Sequence, residues 1–205
     1  MTFIKTISQS DAEGRLKSLY DRVKGPDGRV DNILLAHSLR PHTLEGHMAL
    51  YKSVLHHSSN RSPKWYLEAV GVYVSLLNGC AYCVDHHFAG LARALGDDDK
   101  ASAIRAALEA GLQGDVAPGG ALDDREVTGL DYAGKLTRAP SSVCEADIDA
   151  LRKAGFNDGE ILEINQVAAY FAYANRTVLG LGCSTDGEAL GHSPNGAEDD
   201  DWGHQ

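Results

Sequence analysis

Residues 68–87 read EAVGVYVSLLNGCAYCVDHH, and they carry the strongest structural and chemical signals of the chain. They place two thiols, Cys80 and Cys83, in a Cys-x-x-Cys pattern. His87 follows the second thiol by four residues, and Glu68 precedes the first by twelve. The spacing predicts a helix that begins near Cys80, with Cys83 and His87 one turn apart on one face. Free N–H groups and the positive end of the helix dipole favour a thiolate at such a position. Two thiols able to close a disulfide beside a histidine indicate a redox site.

Helical signals continue on both sides of this stretch, and strand patterns are hard to find, so the sequence predicts an all-α fold. Asn78 and Gly79 both tolerate positive φ and are expected to end the helix before the thiols. Helices are predicted at residues 10–24, 31–38, 41–55, 62–77, 80–95, 98–110, 123–138, 145–154 and 158–181.

Several helix starts carry capping residues. Ser10 and Asp11 are expected to cap the first helix, and Asp97 the helix at 98–110. Asn157 and Glu160 have the spacing of a capping box at the start of the last helix.

The chain divides by composition into two parts. Residues 1–182 are expected to form a single all-helical domain, because 43% hydrophobic content is enough for a buried core. Residues 183–205 are acidic and rich in glycine, a composition that buries little, and they are predicted to be a mobile or partner-clasping tail.

One pair of intervals hints at an internal duplication. Glu163 precedes Asn175 by the same twelve residues that separate Glu68 from Cys80, and both intervals are apolar. A repeated helical hairpin and chance similarity between two amphipathic helices explain this equally well.

Charge and hydropathy exclude several classes of protein. A formal net charge of −10 argues against a nucleic-acid or anionic-membrane surface, which needs clustered Lys and Arg. No apolar run approaches the ~20 residues that span a bilayer. The N-terminal segment lacks the apolar block of a secretory signal, so a cytoplasmic location is expected. Cys144 and Cys183 are expected to be reduced, half-buried side chains.

The paired thiols allow three interpretations. A structural zinc site normally needs four ligands, and no second Cys-x-x-Cys or His-x-x-x-His accompanies the first. Inert core cysteines are the plainest alternative. Redox chemistry fits best, because His87 lies within reach of the Cys83 sulfur. No metal and no organic cofactor are expected.

The remaining polar residues near the thiols have both structural and chemical interpretations. Glu68 lies in an apolar setting and is either a surface carboxylate or a partly buried general base. His86 could also approach Cys83, while Tyr82 is expected to pack and Asp85 to be solvated. The histidines elsewhere, His37, His42 and His47 among them, are expected to be surface or satisfied polar groups.

The pattern Glu68-x11-Cys80-x2-Cys83-x3-His87 resembles the alkylhydroperoxidase D and carboxymuconolactone decarboxylase superfamily. The segments RPHTLEGHMALYKSVL at 40–55 and FNDGEILEINQVAAYFAYANRTVLGLG at 156–182 are similar to its peroxidase-related branch. The chain departs from the alkylhydroperoxidase D pattern at Tyr82, where well-known members have a histidine. The resemblance implies a bundle of helical hairpins and a homo-oligomer, a trimer or a hexamer built from two trimers.

The resemblance also implies roles for four residues. Cys83 would attack a hydroperoxide, Cys80 would resolve the sulfenic acid, and a dithiol reductant or reductant protein would restore both thiols. Glu68 and His87 would form the proton relay. Two alternatives stay open: a general thiol–disulfide oxidoreductase without peroxidase competence, and a redox-sensing or zinc-stabilised oligomeric module.

The relay faces a geometric difficulty. Twelve residues of helix span about 18 Å, so a hairpin at Asn78–Gly79 would leave Glu68 far from Cys80. The sequence therefore predicts a steep helix crossing, a bent segment or a neighbouring subunit if Glu68 is to reach Cys83 and His87.

Overall fold

The computed structural model describes residues 2–114 and 120–191 and builds them from helices, with no strand in these two ranges. The predicted all-α class is therefore confirmed. A π-helical turn, Lys52–His56, extends the third helix, and a 3₁₀ turn, Pro140–Ser142, follows the seventh. The α-helices in the described ranges are α1 (Gly14–Val23), α2 (Asn32–Ala36), α3 (Pro41–Tyr51), α4 (Lys64–Leu77), α5 (Ala81–Leu95), α6 (Asp98–Ala110), α7 (Asp124–Arg138), α8 (Glu145–Lys153) and α9 (Asp158–Leu181).

Helix α4 lies at the centre of the bundle. Every residue from Tyr66 to Ser75 is buried, because α5, α7 and α9 pack around it. A helix that is apolar on all faces, as the run VGVYV makes this one, is stable only when it is covered on every side. The sequence around the thiols thus supplies both the core of the fold and the candidate site.

The turn after α4 reverses the chain as predicted. Asn78 ends the helix, and Gly79 takes a left-handed conformation, φ +69°, that suits a residue without a side chain. The Cys80 N–H then donates to the Ser75 carbonyl over 2.9 Å. Helices α4 and α5 form a hairpin, and Cys80 becomes the N-cap residue of α5.

Two of the predicted caps are confirmed. The Asp97 carboxylate accepts the Lys100 N–H over 2.9 Å at the start of α6. Asn157 and Glu160 exchange both bonds of a capping box at the start of α9. These side chains satisfy N–H groups that the first helical turn leaves without a backbone partner.

The predicted cap at Ser10 and Asp11 is wrong. Helix α1 begins at Gly14, after an N-cap residue, Glu13, whose side chain makes no capping bond. Asp11 instead accepts from Ser8 Oγ over 2.7 Å. Short polar side chains that bond one another locally offer the backbone a turn in place of a helix start.

The longest helix, α9, spans 24 residues and lies against α4 and α7. Its Glu163 carboxylate accepts the backbone N–H groups of Arg61 and Ser62, each over 2.8 Å, just before α4 begins. No helix in residues 2–114 and 120–191 combines the length and the apolar character needed to cross a membrane.

The close contact between α4 and α9 depends on the absence of a side chain at Gly71. A Cβ there would lie 2.2 Å from the Phe171 ring, which is fully buried. We expect Gly71→Ala to lower the free energy of unfolding by about 1–3 kcal/mol through overpacking, which exceeds its gain in helix propensity. Urea unfolding measures this.

Gly46 in α3 is the matched control, because it is exposed and a Cβ added there would have no neighbour within 4 Å. Gly46→Ala should raise the free energy of unfolding by up to about 1 kcal/mol. Stabilisation by both substitutions would contradict the close packing of α4 on α9.

Candidate active site

The two thiols of the Cys-x-x-Cys pattern lie together at the start of α5. Their Sγ atoms are 2.9 Å apart, and both cysteines are free thiols. Cys80 is 0% exposed and Cys83 3% exposed. The first turn of the helix brings positions 80 and 83 side by side, as predicted.

The two thiols influence each other's ionisation. Hydrogen bonding with the Cys83 side chain lowers the pKa of Cys80, and the Cys83 backbone N–H adds to this effect. The pKa of Cys83 is raised, first because of its hydrogen bond with Cys80 and then because of burial and the Cys80 charge. Two thiols this close titrate as a coupled pair, in which loss of a proton from one sulfur opposes loss of a proton from the other.

Asn175 of α9 holds the turn that carries the thiols. This fully buried amide donates to Ser75 Oγ over 3.0 Å and accepts from Asn78 Nδ2 over 2.9 Å. Hydrogen bonding from its side chain also lowers the pKa of Cys80 and counters the rise in the pKa of Cys83. The sequence distinguishes Asn175 only through its spacing from Glu163, and its place beside the thiols is a product of the fold.

Glu68, which is buried, and His87, which is half-buried, form a pair on facing sides of the hairpin. His87 Nδ1 lies 2.7 Å from Glu68 Oε2, and the ring N–H donates to the carboxylate. Gly90, one turn further along α5, leaves room for this carboxylate, since a Cβ there would lie 3.1 Å from Glu68 Oε1. The buried interpretation of Glu68, which is 3% exposed, is therefore correct.

The contact between Glu68 and His87 needs no neighbouring subunit, because a single chain makes it. His87 itself lies six residues into α5, about 9 Å along the helix from its start. The hairpin therefore brings the two side chains to similar levels within one chain.

A cavity of about 340 Å³ lies beside this pair. Cys83 and the pair Glu68 and His87 all line it, whereas Cys80 does not. Its apolar wall includes Ile33, Leu34, Met48, Tyr170 and Ala174. Of the two thiols, Cys83 is therefore the one that a small molecule in the cavity could meet.

Two further histidines line the cavity and are held neutral. Burial lowers the pKa of both His47 and His56 to about 3. His47 is 5% exposed, so the expectation of a surface or satisfied histidine does not describe it: its Nδ1 has no hydrogen-bond partner. The π-helical turn that continues α3 carries His56 to the cavity wall. No sequence pattern links these residues to the thiols.

The C-terminal segment supplies a carboxylate that the sequence does not indicate. Glu188 Oε2 lies 2.6 Å from His86 Nε2, and Glu188 Oε1 accepts from Tyr82 OH over 3.1 Å and from the Asn32 N–H. The Glu188 side chain is 5% exposed, although the composition of its segment predicts little burial. Tyr82 and His86 are thus polar partners of Glu188, and packing alone does not describe Tyr82.

Residues 184–191, here called the C-terminal strap, pass along one side of the cavity. Arg93 donates to the carbonyls of Leu190 and Gly191, and Gly191 lies against Gly90 and lines the cavity. Burial raises the pKa of the nearby Asp31 to about 6, although the charge of His86 lowers it, and the charge of Glu188 adds to the rise. The rest of the predicted tail, residues 192–205, lies outside the described residues.

Within residues 2–114 and 120–191, no three His, Cys, Asp or Glu side chains are grouped as ligands for a metal ion. The groups near the thiols are instead engaged in pairs with one another, such as Glu68 with His87 and His86 with Glu188. The cavity wall thus holds a thiol and a carboxylate–imidazole pair, which are groups used in general acid–base chemistry.

Solved structures of similar fold are known. An uncharacterized peroxidase-related protein from Silicibacter sp. TM1040 is 32% identical, the match covers 77% of each chain, and the TM-score is 0.66. A peroxidase-related protein with an alkylhydroperoxidase AhpD core, from Ralstonia eutropha JMP134, is 24% identical with a TM-score of 0.70. That match covers 89% of this chain and 91% of the other.

A similar fold also occurs in a protein named as a debrominase. The debrominase Bmp8, solved as a variant in complex with 2,3,4-tribromopyrrole, is 18% identical over 91% of this chain and 93% of its own, with a TM-score of 0.70. No protein-family model and no curated protein matches the chain. The fold therefore supports more than one chemistry, and the residues of the site have to distinguish between them.

Proposed function

The chain belongs to the peroxidase-related branch of the alkylhydroperoxidase D and carboxymuconolactone decarboxylase superfamily, and we propose that it reduces hydroperoxides through Cys83 and Cys80. One observation carries the proposal: Cys83 lines a cavity together with the Glu68–His87 pair and has a second thiol 2.9 Å away. An attacking thiol, a proton relay and a resolving thiol are the groups that this reaction needs.

The proposed reaction begins with ionisation of the thiol pair. His87 Nδ1–H donates to Glu68, which leaves Nε2 free to take a proton, directly or through water. The buried carboxylate stabilises the imidazolium that forms, as in other carboxylate–histidine pairs. The remaining charge reaches Cys83 when the shared proton moves to Cys80 across the 2.9 Å hydrogen bond.

The Cys83 thiolate then attacks the distal oxygen of the hydroperoxide. An S–O bond forms, the O–O bond breaks, and the alkoxide or hydroxide that leaves takes the proton held by His87. The product is a sulfenic acid on Cys83. Cys80 attacks the Cys83 sulfur, releases water and closes a disulfide. A dithiol then reduces the disulfide by exchange.

Rapid mixing of the reduced protein with hydrogen peroxide and with an organic hydroperoxide tests the proposal. We expect one equivalent of peroxide to remove two thiols per chain in a single-turnover reaction, measured by thiol titration. A reduced protein that keeps all its thiols in peroxide, yet exchanges with small disulfides, would instead be a general thiol–disulfide oxidoreductase. A stoichiometric zinc ion in the purified protein, lost on mutation of Cys80, would support the zinc-stabilised module.

The homo-oligomer, a trimer or hexamer, stays a prediction from the resemblance. Its support in this chain is a set of large apolar side chains that remain at least 39% exposed: Leu39, Leu50, Leu162, Tyr173 and Leu179. Apolar surface of this kind is typical of subunit contacts.

A further inference from the structure

The proposed cycle leaves the reductant with a problem of access. It must attack one sulfur of the Cys80–Cys83 disulfide. Cys80 is 0% exposed and lies outside the cavity, while Cys83 faces the cavity that receives the peroxide. A protein dithiol is too large to enter a cavity of about 340 Å³. The oxidising equivalents therefore need a route from the buried pair to the surface.

A third thiol lies at the start of such a route. Cys183 packs against the apolar cluster formed by Cys80, Tyr82, Cys83 and Val178, and it is a free, partly exposed cysteine. Three of the chain's four cysteines thus share one cluster, although Cys183 is about 100 residues from the other two.

The backbone fixes this position. Gly182 ends α9 in the left-handed conformation, φ +66°, and the Cys183 N–H donates to the Val178 carbonyl over 3.0 Å. Val178, in the last turn of α9, lies in one apolar cluster with Cys80, the N-cap residue of α5. The C-terminal strap begins at the next residue, so Cys183 lies where the chain leaves the bundle for the surface.

We propose that Cys183 is a third catalytic thiol, which accepts the disulfide from the Cys80–Cys83 pair and presents it to the external dithiol. This proposal rests on the proposed peroxidase cycle and names the route by which that cycle is reset. The Cys183 thiolate attacks Cys80 Sγ, an S–S bond forms between them, and the bond to Cys83 breaks. Cys83 leaves as a thiolate, takes up the proton released by Cys183 and is ready for the next hydroperoxide.

The dithiol completes the cycle. One of its sulfurs attacks Cys183 Sγ, and Cys80 leaves as the thiol. The second sulfur of the dithiol then displaces Cys183, so that the reductant becomes a disulfide and all three cysteines of the protein are reduced. Two electrons and two protons pass from the dithiol to the protein in each cycle.

The local charges keep this third thiol out of the first step. Burial raises the pKa of Cys183 to about 11, and the charges of Glu188 and Cys80 add to the rise. The negative end of the α9 dipole acts in the same direction. Cys183 therefore stays protonated and resists direct oxidation by peroxide. Its packing against the cluster that contains the pair offsets the small thiolate fraction in the intramolecular exchange.

Two half-reactions of the full-length protein test the proposal separately. Oxidation by one equivalent of hydrogen peroxide is followed first, and re-reduction by reduced thioredoxin, a protein dithiol, afterwards. We expect Cys183→Ser to change the oxidation rate less than twofold and to slow re-reduction at least tenfold. Cys144→Ser, which removes an exposed cysteine outside this cluster, is the control and should match the native protein in both steps.

Peptide mapping of the native protein under non-reducing conditions gives a readout that needs no substitution. After one equivalent of peroxide and an alkylating quench, we expect a Cys80–Cys183 disulfide in addition to Cys80–Cys83. Mapping that finds only Cys80–Cys83, with equal re-reduction rates for native and Cys183→Ser proteins, would overturn the relay and leave the peroxidase cycle intact. Failure of the native protein to oxidise at all would instead overturn the proposed function.

Discussion

Cys83→Ser is expected to reduce hydroperoxides no faster than the uncatalysed reaction, whereas Cys80→Ser should be oxidised once and stop. Cys83 is the thiol that lines the cavity, and replacing its sulfur by a hydroxyl removes the nucleophile. In Cys80→Ser the sulfenic acid on Cys83 has lost the thiol that lies 2.9 Å away in the native protein. Mass spectrometry after trapping with dimedone identifies the oxidised residue.

Accessibility to peroxide favours Cys83 as the attacking residue, whereas ease of ionisation favours Cys80. The experiment distinguishes between the two cysteines. The pKa of Cys80 is lowered and that of Cys83 is raised, so Cys80 loses its proton more readily than Cys83. The Cys80 sulfur, however, is fully buried and outside the cavity. We assign the attack to Cys83 because a proton can cross between the sulfurs faster than a peroxide can reach a buried atom. Sulfenic acid on Cys80 in Cys83→Ser, with turnover retained, would reverse the assignment.

Much of the fold could be predicted because its signals are local. Asn157 and Glu160 cap α9 through bonds that span three residues, and Gly79 ends the α4 hairpin through its own conformation. The same locality explains the error at α1, where Ser8 and Asp11 bond each other instead of a helix start. A helix cap and a local turn made by the same side chains differ little in free energy, and the sequence does not show which of the two forms.

The candidate site could be predicted only where it lies within one hairpin. Cys83 and His87 are one turn apart on α5, and helical periodicity places them on one face. Glu188 reaches His86 from 102 residues away, in a segment whose acidic composition argues for exposure. Hydrogen-bond donors from α2 and α5 stabilise its burial, and such partners cannot be predicted from the composition of the segment.

The helical spacing that separates Glu68 from Cys80 also explains how Glu68 reaches the site. Twelve residues of helical rise place Glu68 about 18 Å from Cys80 along α4. The partner of Glu68, however, is His87, on the second turn of α5. The hairpin closes that gap because each residue after Cys80 runs back along α4 toward Glu68. In the proposed relay the imidazole takes the proton from Cys83, and the carboxylate acts through the imidazole.

Glu68→Gln should therefore slow oxidation of the thiol pair by roughly 10²-fold at pH 7, the size of effect typical of a lost general base. The substitution keeps the shape of the side chain, and its amide oxygen can still accept the His87 N–H. It removes the negative charge that stabilises a protonated His87. Stopped-flow oxidation at several pH values measures the change.

The pH dependence distinguishes this role from a structural one. The pKa of Cys83 is raised, so the attacking sulfur is protonated at neutral pH and needs a base to ionise. Without the Glu68 charge a protonated His87 is no longer stabilised, so hydroxide has to supply more of the proton removal, and the rate should rise by up to about tenfold per pH unit between pH 7 and 9. The native protein, with its internal base, should show a flatter profile over the same range.

Glu163→Gln is the matched control, since Glu163 is also a carboxylate on a helix that packs in the core. Its carboxylate accepts the N–H groups of Arg61 and Ser62, and Glu163 does not line the cavity. It should lower stability and leave the pH profile of oxidation unchanged. Equal profiles for Glu68→Gln and the native protein would remove Glu68 from the chemistry. The N-terminus of α5 and His87 would then have to ionise the thiols by themselves, and the buried carboxylate would serve only to orient the imidazole ring.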